Sequence, residues 1–194
     1  MKTYLLIFVF LLASRSSFAV NDSIVKPQVR SSPIVIANLL TSENNYVKCT
    51  YGQPLKKGRE VFGSLVPLGK LWRTGANEAT EITFTTDVLI GSNTLAAGTY
   101  TLFSIPNKDK WTIIFNSVLG QWGDFTYDST KNVLVHQAPV AKNNDIYEGF
   151  TIQFEDTSGG FDMNLLWDNV KVQVPILIAG NKKLTSSKKK KKKS

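Results

Sequence analysis

The residues best equipped for chemistry crowd into one stretch of the chain: Lys57, Arg59, Trp72, Arg73, Asn77 and Glu78. Arg73 offers a planar fork of N–H donors that suits a carboxylate or a phosphate. Asn77 can donate and accept, and Glu78 can accept or act as a base. Trp72 can supply a stacking platform. Gly75 and Ala76 leave the backbone accessible, and Lys56-Lys57-Gly58-Arg59 can form a basic lip. Together they read as a non-enzymatic site for a small polar or anionic ligand, such as a sugar or a peptide end, or for a partner component of the envelope. Two other uses stay open. One is an enzyme of unknown reaction, with Glu78 as acid or base and Arg73 or Lys57 as electrostatic stabiliser. The other is purely structural: Arg73 paired with Glu78 or Glu60, and Asn77 bonded to main chain, would brace the loop of an envelope protein.

Other chemistries find little support. His136 is the sole histidine and Cys49 the sole cysteine. A Ser-His-Asp or Cys-His arrangement would have to use His136, which sits in Val133-Leu-Val-His-Gln137 with no nucleophile motif beside it. One His and one Cys exclude a conventional zinc cage within one chain. Asp124, Asp128 and Asn132 could offer oxygens to calcium, but their spacing lacks the loop signature. Glu78 and Glu81 could flank a glycosidic bond only at a separation that sequence does not give. No phosphate-cradling or dinucleotide fingerprint is present, and no cofactor is implied. Cys49 alternates with Val47 and Tyr51 on one strand face, so it reads as a buried thiol acting as a small hydrophobe.

The elements that must position the cluster are strands. The segment 51–80 is a long connection rich in Gly and Pro, and such a loop is uncommon in a compact domain unless it has a job. Arg59 to Leu65, between Gly58 and Pro67, is expected to form a short helical turn. Before the loop, Pro33–Leu40 and Tyr46–Tyr51 read as a hairpin about Thr41-Ser-Glu-Asn-Asn45. After it come Thr80–Thr86, Val88–Ile90, Thr94–Leu95, Tyr100–Ile105, Trp111–Phe115, Val133–Gln137, Phe150–Phe154, Asp162–Trp167 and Val170–Val174. Aromatic and β-branched residues dominate, and no long segment keeps helical periodicity. The fold class is all-β: a single antiparallel β-sandwich or flattened barrel. Trp111 and Trp167 lie in strand patterns and are expected in the core. Trp122, in the Gly120-Gln-Trp-Gly123 turn, fits either a core or a platform role.

The 194 residues carry a formal charge of +8. Ten of the 23 basic residues lie in residues 1–19 and 181–194, which leaves 13 against 15 acids in the body. A basic face built into the fold, as a nucleic-acid domain requires, is not indicated. Residues 1–19 read as a signal peptide: Lys2, the apolar run Tyr4–Ala13, and Ser17-Phe-Ala19 before a cut at Val20. That run is too short to span a membrane, so no transmembrane span is expected in the mature chain. Residues 20–32 read as a flexible arm, 33–180 as the β domain, and 181–194 as a disordered tail ending in Lys188–Lys193. The tail is either a solvated appendage or an electrostatic tether to anionic surfaces, without sequence selectivity.

From Tyr51 onward the chain resembles a bacterial family known as domain of unknown function 2911. The resemblance rests on Lys57-Gly-Arg59, Phe62-Gly63, Leu65-Val-Pro67, Gly69, Trp72-Arg-Thr-Gly-Ala-Asn77, Ala79-Thr80, Ala97-Gly-Thr-Tyr100, Ile105-Pro106 and Gln121-Trp-Gly123. It continues with weaker spacing to about Pro175. The family implies an exported protein, periplasmic or secreted, of bacteria with two membranes. It brings no established activity, substrate or catalytic residue. The polylysine tail departs from its pattern.

Overall fold

The computed structural model describes residues 28–180. The leader 1–19, most of the arm and the lysine tail 181–194 lie outside the described residues. Nine antiparallel strands follow in chain order: β1 Ile34–Leu40, β2 Tyr46–Gly52, β3 Thr80–Phe84, β4 Val88–Ile90, β5 Asn93–Leu95, β6 Gly98–Ile105, β7 Lys110–Asn116, β8 Asn132–Thr157 and β9 Gly160–Ile178. They pair in the order β1-β2-β3-β6-β7-β8-β9-β4-β5. Among the described residues the only helical element is a 3₁₀ turn, Ser129–Lys131, capped by the Asp128 side chain on Thr130 N.

Alternation explains the core. Val47, Cys49 and Tyr51 of β2 share a face with Ile82 and Phe84 of β3, and register sets Cys49 opposite Ile82 and Ile82 opposite Tyr100. All are buried, as are Trp111, Ile113 and Phe115 on β7. The second layer comes from the C-terminal half of β8 with β9, β4 and β5. Tyr51 and Phe150 meet edge to face at 5.6 Å, and Phe84 stacks on Phe161 at 6.4 Å, so the layers share one core. The amide of Ile152 also donates to Tyr51 Oη across them at 3.1 Å.

The sheet folds over on β8. Residues 132–139 pair with β7 and 140–157 with β9, with register breaks between Lys142 and Thr151. Alternation predicts two short strands where β8 runs and two where β9 runs, and each is one continuous strand. The polar residues 141–148 carry no alternating signal, yet partly pair along β9. The sheet is not closed into a barrel: residues that follow β1 and β2 meet the far half of β8 across a seam, with Ser42 N donating to Asp156 Oδ2, Gln53 Nε2 to Phe150 O and Phe150 N to Pro54 O.

The segment 53–79 holds no helical turn. Over Arg59–Leu65, Leu65 N donates to Glu60 O and Val66 N to Val61 O, which closes wide turns instead. Left-handed φ at Lys57, Gly58 and Gly63 interrupts a helical path on both sides of Val61 and Phe62.

Candidate functional site

The loop is pinned at both ends. At its root, Lys56 Nζ bonds Asp168 on β9 at 2.6 Å, and the Lys57 amide donates to Glu148 Oε1. Phe62 and Trp72 then plunge into the core. Trp72 lies nearly parallel to Trp167 at 6.0 Å and meets Phe62, Trp111 and Phe150 edge-on. Its indole N–H donates to Gly75 O. Trp72 and Ser104 exchange both backbone hydrogen bonds, which fixes the strand-like entry to Trp72-Arg-Thr-Gly-Ala-Asn77. Thr74 Oγ1 donates to Ser104 Oγ, and Thr80 Oγ1 to Thr74 O. Ala76 N donates to Gly52 O, seating the loop flat on the end of β2. Asn77, at φ 64, accepts at its carbonyl from Gly123 N.

Under this loop opens a cavity of about 490 Å³, within the range of small-ligand sites. Its charged lining is Lys57, Arg59 and Arg73, and among the described residues no carboxylate lines it. Asn77, Ser31 and Ser32 add polar groups, while Leu65, Leu71 and Trp72 supply apolar wall. Arg59 is folded back, with Nε donating to Lys56 O and an Nη to Leu55 O. Those acceptors are neutral, and both Arg59 and Lys57 stand exposed at the mouth of the cavity. Arg73 is half-buried, and its Nε is buried without a hydrogen-bond partner. No carboxylate among the described residues forms a salt bridge with Lys57, Arg59 or Arg73. Such an unmet buried donor costs about 1–3 kcal/mol.

Five of the six residues expected to act together therefore meet at one cavity: Lys57, Arg59, Trp72, Arg73 and Asn77. Trp72 is 7% exposed and its rings are committed to the aromatic cluster, so it walls the cavity rather than offering a free face. Glu78 is set apart. It lines a second groove, about 270 Å³, with Ile34, Thr50, Glu81 and Gln121. Its carboxylate takes both hydrogen bonds from Arg30, at 2.7 and 2.8 Å. Partial desolvation pushes the Glu78 pKa up, but the hydrogen bonds and charge of Arg30 outweigh it and hold the carboxyl below its ordinary value. The bracing pair of Arg73 with Glu78 or Glu60 does not form. Arg30, Ser31 and Ser32, from the stretch read as a loose arm, lie against the loop instead. Their partners are distant in sequence, and nothing local announces them.

The remaining candidates are accounted for by packing. Cys49 is fully buried, and burial pushes its thiol pKa far up. Burial pushes His136 down, and it faces Gly91 across a short gap. Asn132 is bonded to Tyr127 and Asn116. Among the described residues no three His, Cys, Asp or Glu stand close enough to hold a metal ion, and no helix is long and apolar enough to cross a membrane.

Fold and site together define a two-layered antiparallel β protein with a cation-lined cavity beneath a pinned loop. Residues 33–176 match the family model described as "Protein of unknown function (DUF2911)", and the chain belongs to that family. A search of curated proteins and of solved structures finds no match.

Proposed function

We propose that this protein is a non-enzymatic binding module that takes a small anion, a carboxylate or a phosphate, in the cavity under the 51–80 loop. The observation that carries this reading is Arg73. Its Nε is buried without a partner, in a cavity whose other charged groups are also cations. An anion would meet that donor and offset the mutual repulsion of Lys57, Arg59 and Arg73. The acid–base alternative is weaker, because Glu78 lines a different cavity from Arg73. A carboxyl held ionised by Arg30 is also a poor proton donor at neutral pH. Export rests on the leader alone, and N-terminal sequencing of the mature protein tests it.

A thermal-shift and calorimetric screen of the mature chain with inorganic phosphate, citrate and short carboxylates tests the site. A ligand at one hundred times its Kd stabilises by about 2.7 kcal/mol. Arg73→Ala is expected to abolish the shift while the protein still folds. Arg73→Lys keeps the charge without the fork and retains part of it. A shift that survives Arg73→Ala, or no shift with any anion, overturns the reading.

A further inference from the structure

The most exposed aromatic surface among the described residues belongs to neither role above. Trp122 and Phe125 are 59% and 80% exposed, on the loop after β7. The other tryptophans are at most 7% exposed. Two large rings only three residues apart on one loop concentrate exposed apolar area, the kind of surface that marks interaction sites when it is contiguous. This loop is braced. Buried Gln121 donates to Val118 O and accepts from Thr126, Ala79 N donates to the Gln121 carbonyl, and Gly123 N donates to Asn77 O. Gly120 N is held by Glu81 Oε1. Gly123, at φ 72, lies against the Phe125 ring so closely that an added Cβ would stand 2.8 Å from it. The backbone that carries the two rings is therefore held in place.

The surroundings of Trp122 are polar. Trp122 is bridged to Glu78 as an antiparallel partner, which puts the two side chains on one face. Beside them run the Arg30–Glu78 pair and the groove lined by Thr50, Glu81 and Gln121. We propose that this face is a saccharide-binding subsite, in which Trp122 packs on the C–H face of a sugar ring. The carboxylates of Glu78 and Glu81, the Arg30 guanidinium and the Thr50 hydroxyl engage ring hydroxyls. Charge selects the occupant. Glu78 is the bridge partner of Trp122, Glu81 lines the adjoining groove, Asp124 follows Trp122 by two residues, and Arg30 is already paired, so an anionic bilayer is repelled and a neutral glycan is not.

The test is titration of the mature protein with cellohexaose, chitohexaose and maltohexaose, followed by tryptophan fluorescence and calorimetry. Because the other three indoles are buried, the fluorescence change reports Trp122. At least one oligosaccharide is expected to bind. Trp122→Ala is expected to weaken it roughly 10-fold or more, Trp122→Phe less, and Arg73→Ala not at all. That last arm separates this subsite from the anion cavity. No response to any of the three, or unchanged affinity in Trp122→Ala, overturns the proposal. So does Trp122-dependent sedimentation with phosphatidylcholine vesicles in the absence of sugar binding.

Discussion

Gly52→Ala is the sharpest probe of how the loop is held. Gly52 ends β2 where the loop lies flat on it, and a Cβ there would stand 2.0 Å from Ala76 O and 2.9 Å from Ala76 C. Real Cβ contacts stay beyond 3.0 Å, so the loop must lift by about 1 Å. Lifting it strains the bond from Ala76 N to Gly52 O, and Gly75, which accepts from Trp72, moves with it. Overpacking costs about 1–3 kcal/mol and the weakened hydrogen bond about 1 kcal/mol. A loss near 3 kcal/mol in a domain of this size lowers Tm by roughly 6–12 °C. Calorimetric melting of the mature chain measures it, and phosphate or citrate titration reads the cavity. Affinity should fall with stability, because Ala76 and Asn77 line the site. Two controls separate causes. Gly160→Ala would put a Cβ 2.1 Å from Ile176 O, far along the chain from the loop; it should cost similar stability and leave anion affinity alone. Gly58→Ala meets nothing within 4 Å but sits at φ +71, so it should cost only about 1–2 kcal/mol. A Gly52→Ala protein that melts within about 2 °C of the parent with unchanged affinity refutes the seating argument.

Glu78→Gln tests the Arg30 pair by pH. The folded pKa is depressed, so the pair's stabilisation is complete above the ordinary carboxylate value and fades as pH falls through the folded one. Both side chains are about a third or more exposed, so the effect is at most about 1 kcal/mol. Urea titrations between pH 7 and pH 3 should show the parent losing its margin over Glu78→Gln below pH 4.5; a constant margin rejects it. Cys49 should resist a thiol-specific disulfide reagent in the native protein at pH 8 and react fully in denaturant; rapid native labelling contradicts its burial. Deleting Lys188–Lys193 should remove low-salt adhesion to anionic vesicles if the tail tethers, and adhesion that persists assigns it elsewhere.

What the sequence makes legible follows from where the physics is local. Alternation at Val47, Cys49 and Tyr51, or at Ile82 and Phe84, is written in neighbouring residues, and those strands lie within two residues of expectation. The polar middle of β8 is held to β9 only at Ala141, Lys142 and Tyr147, and no local pattern carries that. The same divide runs through the site. Lys57, Arg59, Arg73 and Asn77 are close in sequence, so their convergence on one cavity is readable. Arg30 reaches Glu78 across 48 positions, and that unseen pair decides the electrostatics. By taking up Glu78 it leaves Arg73 without the nearest carboxylate in its own loop.

That division of labour gives the loop its logic. Arg59 spends its fork on the carbonyls of Leu55 and Lys56, and Lys56 spends its charge on Asp168. Both shape the rim. Arg73 has no such anchor, although its Nε is buried. A loop needing only to be closed would have Arg73 paired with Glu78, five residues on, and would leave Arg30 free. The chain does the reverse: it brings an arginine from outside the loop to satisfy the loop's carboxylate and keeps the loop's own arginine for the cavity. Arg30→Ala therefore makes a specific demand on the anion reading. With Arg30 gone, Glu78 is released, and any turn of its carboxylate toward Arg73 competes with phosphate. Anion affinity should then fall even though Arg30 does not line the cavity, and Arg30→Ala with Glu78→Gln together should restore it.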